Sequence, residues 1–323
     1  MRRRTLLATA GLAVPASLVA GVQTALAEMP APSGSPVPLD THLTRARSLF
    51  DTGRYGDLLK ALPDLLATAH DGIRDRSEIN YARLSACYSL ATQVLVKIGR
   101  YDHARLTADR ATLYGDLSGS PLASAAAVRE LSIVLRHQDQ ADTAQRLVLS
   151  AASRIEAMGL TTQAQAAAYA QMLCTTSYTA ARSNDRSQAL EMIDEAARAA
   201  AALPTVAPTG RLFAITPASV QLYEVGVHWA LGDAGAAITK GQQLHPGQFA
   251  TAERKGRLHT DMARAWWQWG KAEQTAQALL DAFRVTPAEV RDRPAVRAIV
   301  SELQRKHPHV AGVRELSRAV LVG

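Results

Sequence analysis

The sequence predicts an all-α protein: a superhelical array of about six helix hairpins, with further helices closing its C-terminal end. Three observations carry that prediction. Apolar residues make up 47% of the chain but aromatic residues only 5%. Alanine is abundant, and this balance favours closely packed helices over sheets, which draw on β-branched and aromatic side chains. Glycine and proline are sparse, 20 and 14 in 323 residues, too few for a many-turned β fold. Finally, a unit of helix, tight turn and helix recurs along the chain.

Residues 1–27 read as a leader. Arg2, Arg3 and Arg4 open it, and no acidic residue precedes Glu28. Arg3-Arg4-Thr5-Leu6-Leu7 resembles the twin-arginine export motif, and Ala25-Leu26-Ala27 offers the small residues a signal peptidase accepts. The uncharged stretch between them holds Pro15, two glycines and many alanines, which makes a poor permanent membrane anchor. Two readings fit: an export leader cleaved after Ala27, or a linker inside a longer protein. Residues 28–40 contain four prolines and read as an extended linker. The folded array is expected over 41–318, beginning with Asp40 or Thr41 as a helix cap, with 319–323 as a tail.

Six turns punctuate the array. They start at Gly53, Gly99, Asp139, Asn184, Gly232 and Gly270, at spacings of 46, 40, 45, 48 and 38 residues. Each opens with a residue that tolerates a left-handed helix end. In all but the first, a small residue stands five positions on (Ala104, Ala144, Ala189, Ala237, Thr275), where the second helix must approach the first. The flanks have helical period. Ala144, Leu147, Val148, Ala151 and Ile155 follow one turn, while Leu258, Met262, Ala265, Trp266 and Trp269 precede another. Two helices cannot hide so much apolar surface, so each hairpin must stack on the next.

Breaks separate the pairs at Ser118-Gly119-Ser120-Pro121 and, at greatest length, from Pro204 to Gly210. The latter reads as a hinge or a protruding loop. Thr216-Pro217 and Thr286-Pro287-Ala288-Glu289 read as helix starts with Thr as cap, the second with Glu in the capping-box place. One or two closing helices are expected over 288–318.

Chemistry-bearing motifs are few. Cys87 and Cys174 are far apart in apolar stretches and read as buried free thiols. No zinc spacing, phosphate loop, Gly-x-Ser-x-Gly or His-Glu-x-x-His occurs. A catalyst, a metal centre and a bound cofactor are therefore not expected. The net charge is +7; without the three N-terminal arginines, 33 basic residues face 29 acidic ones. That balance permits an acidic partner without demanding nucleic acid.

The Gly99-Arg100-Tyr101-Asp102-His103-Ala104 and Gly270-Lys271-Ala272-Glu273-Gln274-Thr275 turns, with Thr286-Pro287 after the last pair, resemble tetratricopeptide repeats (TPR). The usual period is about 34 residues, so these repeats are degenerate. The likeness covers roughly 41–318. A narrower one lies in the runs Ser89 to Gly99, Ala126 to Arg136, Tyr178 to Arg182 and Arg264 to Gly270. These are similar to the C-terminal repeat region of actinobacterial Xre-type helix-turn-helix regulators, taken to sense a ligand or partner. Met1 falls where the linker of such a regulator would begin. A late start codon, a lost DNA-binding domain, or a repeat module with a true export leader would each account for that. Direct DNA binding is not expected from this chain alone, while a homodimer would suit a regulator.

The TPR resemblance implies that the first helix of each pair lines a concave face. Counting back from the turns places Gln93 and Lys97 there, then Arg129, Ile133 and Arg136, then Gln171, Tyr178 and Arg182, then Arg257, Arg264 and Trp267. The arginines suit a protein or peptide carrying acidic residues or a free C-terminal carboxylate, since guanidinium grips carboxylate with two bonds. An ordinary solvated helix face is the alternative. Trp266 and Trp269 fit the buried stripe; Trp267 falls on the other face as a contact candidate. The expected function is a non-catalytic binding module, the sensor part of an Xre-type regulator system. The alternative is an exported scaffold that docks partners in the cell envelope.

Overall fold

The computed structural model describes residues 14–27, 37–208 and 210–321. Among them are sixteen α-helices and no strand. Helix α1 (Ala16–Ala27) precedes six hairpins. These are α2 (Leu39–Asp51) with α3 (Tyr55–Asp71), α4 (Glu78–Lys97) with α5 (Tyr101–Leu117), and α6 (Pro121–His137) with α7 (Ala141–Glu156). Then come α8 (Gln163–Arg182) with α9 (Arg186–Ala200), α10 (Pro217–Ala230) with α11 (Ala234–Gly241), and α12 (Ala252–Gln268) with α13 (Ala272–Val285). Three closing helices follow, α14 (Pro287–Arg291), α15 (Pro294–Lys306) and α16 (Val313–Leu321). The all-α repeat array expected from the sequence is the architecture observed.

One device ends every first helix. Gly53, Gly99, Asp139, Asn184, Gly232 and Gly270 all take left-handed φ, between 61° and 83°. The residue after each donates its N–H back to the carbonyl five positions earlier: Arg54 to Leu49, Arg100 to Leu95, Gln140 to Leu135, Asp185 to Ala180, Asp233 to His228, Lys271 to Trp266. Carbonyls that the helix leaves orphaned are satisfied in this way. Five residues on, Ala104, Ala144, Ala189, Ala237 and Thr275 are fully buried, as their small size foretold. At the first turn that place is held by Leu58, equally buried.

The first helices of the pairs make the inner layer. Each touches the next, from α2 to α4, α6, α8, α10 and α12, and α12 returns to α2. The inner helices thus form a closed ring. Two glycines stand at the closure. A Cβ on Gly53 would strike the Thr286 side chain, and one on Gly99 the Pro294 ring, so positive φ and close approach both demand glycine there.

Several boundaries differ from expectation. Helix α2 starts at Leu39 after Pro38, and Asp40 lies in its first turn instead of capping it. Its carboxylate bonds Arg83 at 2.7 Å. Thr216 does cap α10, accepting from the Ser219 N–H. Thr286 does not cap α14: its hydroxyl donates to the Ala252 carbonyl. Glu289, expected in a capping box, is instead completely buried. Helix α16 runs to Leu321 and buries Val320, so the fold extends past 318. The Arg3-Arg4 motif and most of the proline-rich linker lie outside the described residues. Residues 16–27 of the leader form α1, which packs on α3 and α5 and buries Val19, Val22 and Leu26 in their core. No helix among the described residues is long and apolar enough to cross a membrane.

Candidate functional site

The inner ring is lined with charge. All eleven residues picked from the sequence lie on inner helices: Gln93 and Lys97 on α4, Arg129, Ile133 and Arg136 on α6, Gln171, Tyr178 and Arg182 on α8, Arg257, Arg264 and Trp267 on α12. Most are not on a freely solvated face. Arg129 and Gln171 are buried, Lys97, Arg136, Arg257 and Arg264 are largely covered, and Arg182 is exposed. Trp267 differs in its direction. It turns outward to the closing helices, edge-on to His307 and under the Lys306 ammonium. Trp269, expected in the buried stripe, is half-exposed and stacked on Trp266. Its position as the α12 C-cap, one step before the Gly270 turn, carries it off the packed face.

Two groups of side chains cross the ring. The first centres on Arg129. It pairs with Glu130, donates to the Thr175 hydroxyl at 3.1 Å and to the Tyr223 hydroxyl at 3.2 Å, and so ties α6 to α8 and α10. Gln93 donates to Glu130 at 2.8 Å and accepts from Arg47 at 2.7 Å. Arg257 lies 4.5 Å above the Tyr223 ring and bonds Asp261, which Arg264 also holds. Burial pulls the pKa of Arg129 down, but Glu130 and Tyr223 outweigh it and hold the guanidinium firmly charged. Burial pushes the Tyr223 phenol up; Arg129, Arg257 and Arg254 prevail and bring it down to about 7.

The second group closes the ring. Lys97, at the end of α4, bonds Glu253 of α12 and, at 2.6 Å, Glu289 of α14. Glu289 also accepts from the Tyr55 hydroxyl at 2.6 Å and from Arg293 at 2.7 Å. Burial raises both carboxyls, but Lys97 with Arg254 or Arg293 wins, and each lies below the ordinary carboxylate range.

The ring has two ends. At the N-terminal ends of the inner helices, the loop after α9 lies over α4 and α6. Phe213 is buried there, and with Leu212 it covers a crevice of about 20 Å³ lined by Arg47, Ser89 and Arg129. That is room for about one water molecule. Within the stretch read as a hinge or a protruding loop, Thr205, Val206, Pro208 and Gly210 are exposed and Thr209 lies outside the described residues; the chain meets the inner face just past it, at Leu212 and Phe213. At the opposite end, Arg136 sits 4.9 Å over the Tyr178 ring and donates to Thr179 at 3.1 Å. Arg264 lies 5.1 Å over Trp229, and His137 stacks on Tyr101 at 4.3 Å. Burial depresses Arg136 and Arg264. His137 is open to solvent yet walled by protein; desolvation, then Arg136, Arg182, Arg293 and Arg264, bring it down to about 3.

Sequence reasoning missed Arg47, Tyr223, Glu253, Arg254, Glu289 and Arg293. Arg254 stands one turn before Arg257 and shares its face, a signal that was there to read. Glu289 and Arg293 gave none, because only ring closure brings α14 and α15 to the inner helices.

No known family's sequence profile matches the chain, and no curated protein matches it. Among solved structures, BtubC (BKLC) from P. vanneervenii is similar over 77% of this chain and 91% of its own, with 15% identity and a TM-score of 0.41. At that distance nothing about function passes between them.

Proposed function

We propose that the chain is a non-catalytic binding module that takes an anionic group, on an acidic peptide or a C-terminal carboxylate, at its arginine-lined interior. The observation that carries this is an imbalance of charge. The interior holds Arg47, Lys97, Arg129, Arg136, Arg254, Arg257, Arg264 and Arg293 against Asp51, Glu130, Glu253, Asp261 and Glu289. Among the described residues, Arg136 pairs with a hydroxyl and a ring and with no carboxylate. Covering a cation without a counter-ion costs free energy, so an incoming carboxylate would be favoured. The two thiols offer no nucleophile: burial pushes Cys87 and Cys174 up to about 12.

The repeat pattern and its runs support a TPR-like sensor of the Xre-type regulator kind. Ligand binding would then shift how tightly the ring closes and pass that change to a DNA-binding partner or a dimer interface. Arg136 and Arg182 are the residues to test. Arg129 is the wrong choice, since it ties three helices together and its loss would damage the fold. Binding of a fluorescent acidic peptide with a free C-terminal carboxylate, followed by anisotropy, should weaken at least tenfold in Arg136→Glu/Arg182→Glu while the helical circular dichroism persists. Unchanged affinity would refute the assignment.

A further inference from the structure

We infer that the open end of the ring, where Arg136, Arg182, Arg264 and Arg293 surround the Tyr101–His137 stack, is a binding site for a compact dianion of the phosphate-ester class. The inference rests on the binding-module reading above and names the ligand chemistry of the same surface. It starts from the two ends of the ring. Toward the N-terminal ends of the inner helices, Leu212 and Phe213 stand over the crevice beside Arg129. Inside, the Arg129 group reaches from α6 to α10 and the Lys97 group from α4 to α12, each past one helix of the ring, and both narrow the interior. The arginines at the opposite end have fewer partners.

Charge at that end sets the ligand's charge. Arg264 shares Asp261 with Arg257. Arg293 is held by Glu289, which also answers Lys97. Arg136 rests on Thr179 and the Tyr178 ring, and Arg182, at the end of α8, reaches no carboxylate within ion-pair distance among the described residues. Arg136 and the exposed Arg182 are therefore the two without a carboxylate partner, and a group with two negative charges matches that pair. The cations come from separate elements: α6, α8, α12 and the start of α15. A single carboxylate answers one guanidinium fork; three oxygens on one phosphorus can meet several forks at once.

The uncharged part of the site also fits an ester. Desolvation first, and then four guanidiniums, keep His137 neutral at pH 7, so it adds no charge of its own. With Tyr101 it forms a flat aromatic shelf beside the cations. Tyr178 and Trp229 lie under Arg136 and Arg264 and hold their guanidinium planes. The Tyr178 ring packs beside Gly226 of α10.

Inorganic phosphate and phenyl phosphate are suitable probes, at pH 8 and constant ionic strength set with chloride. Either should raise the Tm of the full chain in a concentration-dependent way. The shift should vanish in Arg136→Gln/Arg182→Gln and return in part in Arg136→Lys/Arg182→Lys. The Gln variant should melt no lower than wild type without ligand, because it relieves like-charge crowding. Absence of a shift in wild type, or an equal shift in the Gln variant, would overturn the proposal. The acidic peptide, measured in the same samples, separates the two readings. Peptide binding that phosphate neither mimics nor displaces keeps the module and removes the dianion site.

Discussion

Tyr223 shows how far a residue's chemistry depends on neighbours that sequence distance conceals. It lies on α10, and two of the arginines that act on it, Arg254 and Arg257, lie on α12, while Arg129 comes from α6. Nothing in the run Gln221 to Val225 announces a perturbed phenol. The structure brings it down to about 7, so a phenolate is half-formed near neutral pH. The phenolate is the favoured partner of three guanidiniums, and the unfolded chain lacks them. Stability from this group is full above the ordinary phenol value, near 10. It shrinks as pH falls through 7 and is absent below. Of the eight tyrosines, one should therefore ionise near pH 7, seen as a rise at 295 nm; Tyr223→Phe should erase that step alone. A native titration with every phenol ionising above pH 9 would contradict the geometry.

Elements were far more legible than residues, because each is specified locally. The six left-handed turn residues, their small partners five places on and the helical stripes all lie within a few turns of one another in sequence. What escaped was set by contacts between distant hairpins. Trp267 and Trp269 exchanged roles because the closing helices, not the next hairpin, cover that face of α12. Glu289 looked like a capping residue because its local context is one. Helix α1 is the remaining element to settle. Val19, Val22 and Leu26 are buried against α3, and the Leu26 carbonyl accepts from Arg110. Each such aliphatic side chain contributes roughly 1.5–3 kcal/mol when fully buried, an upper figure for a real unfolded chain. Cutting after Ala27 would discard all of it and expose the seat on α3. The protein isolated from its own cells should keep α1, and mass spectrometry of its N-terminus checks this directly. A mature chain starting at Glu28 would favour the exported scaffold over the regulator.

At the scale of the whole molecule, closure is the property that the repeats alone do not dictate. Stacked hairpins make an open superhelix unless something joins its ends. Here Lys97 spans from α4 to Glu253 and Glu289, with Tyr55 and Arg293 completing the shell around Glu289. Two carboxylates are thus buried close to one ammonium. Removing that ammonium leaves Glu253 with Arg254 and Glu289 with Arg293, two covered carboxylates short of one counter-charge, a change that costs up to about 3–5 kcal/mol. The closure is held by few contacts while the apolar cores run between successive hairpins, so the loss should be spent on opening, not on unfolding. In Lys97→Met, small-angle scattering should show a larger radius of gyration, and hydrogen exchange should rise in α2, α12 and α14 with the helical signal retained. The pH dependence has a definite sign. Glu253 and Glu289 lie below the usual carboxylate range in the folded protein. Their contribution is therefore full above that range and is lost as pH falls through the lowered values. Wild type should open only in strong acid. Without Lys97 both carboxyls rise, so the variant should be open at neutral pH and close again as acid neutralises the pair. A variant as compact as wild type at pH 7 would mean that the ring is closed by other contacts, and that the interior charges have no hold on its curvature.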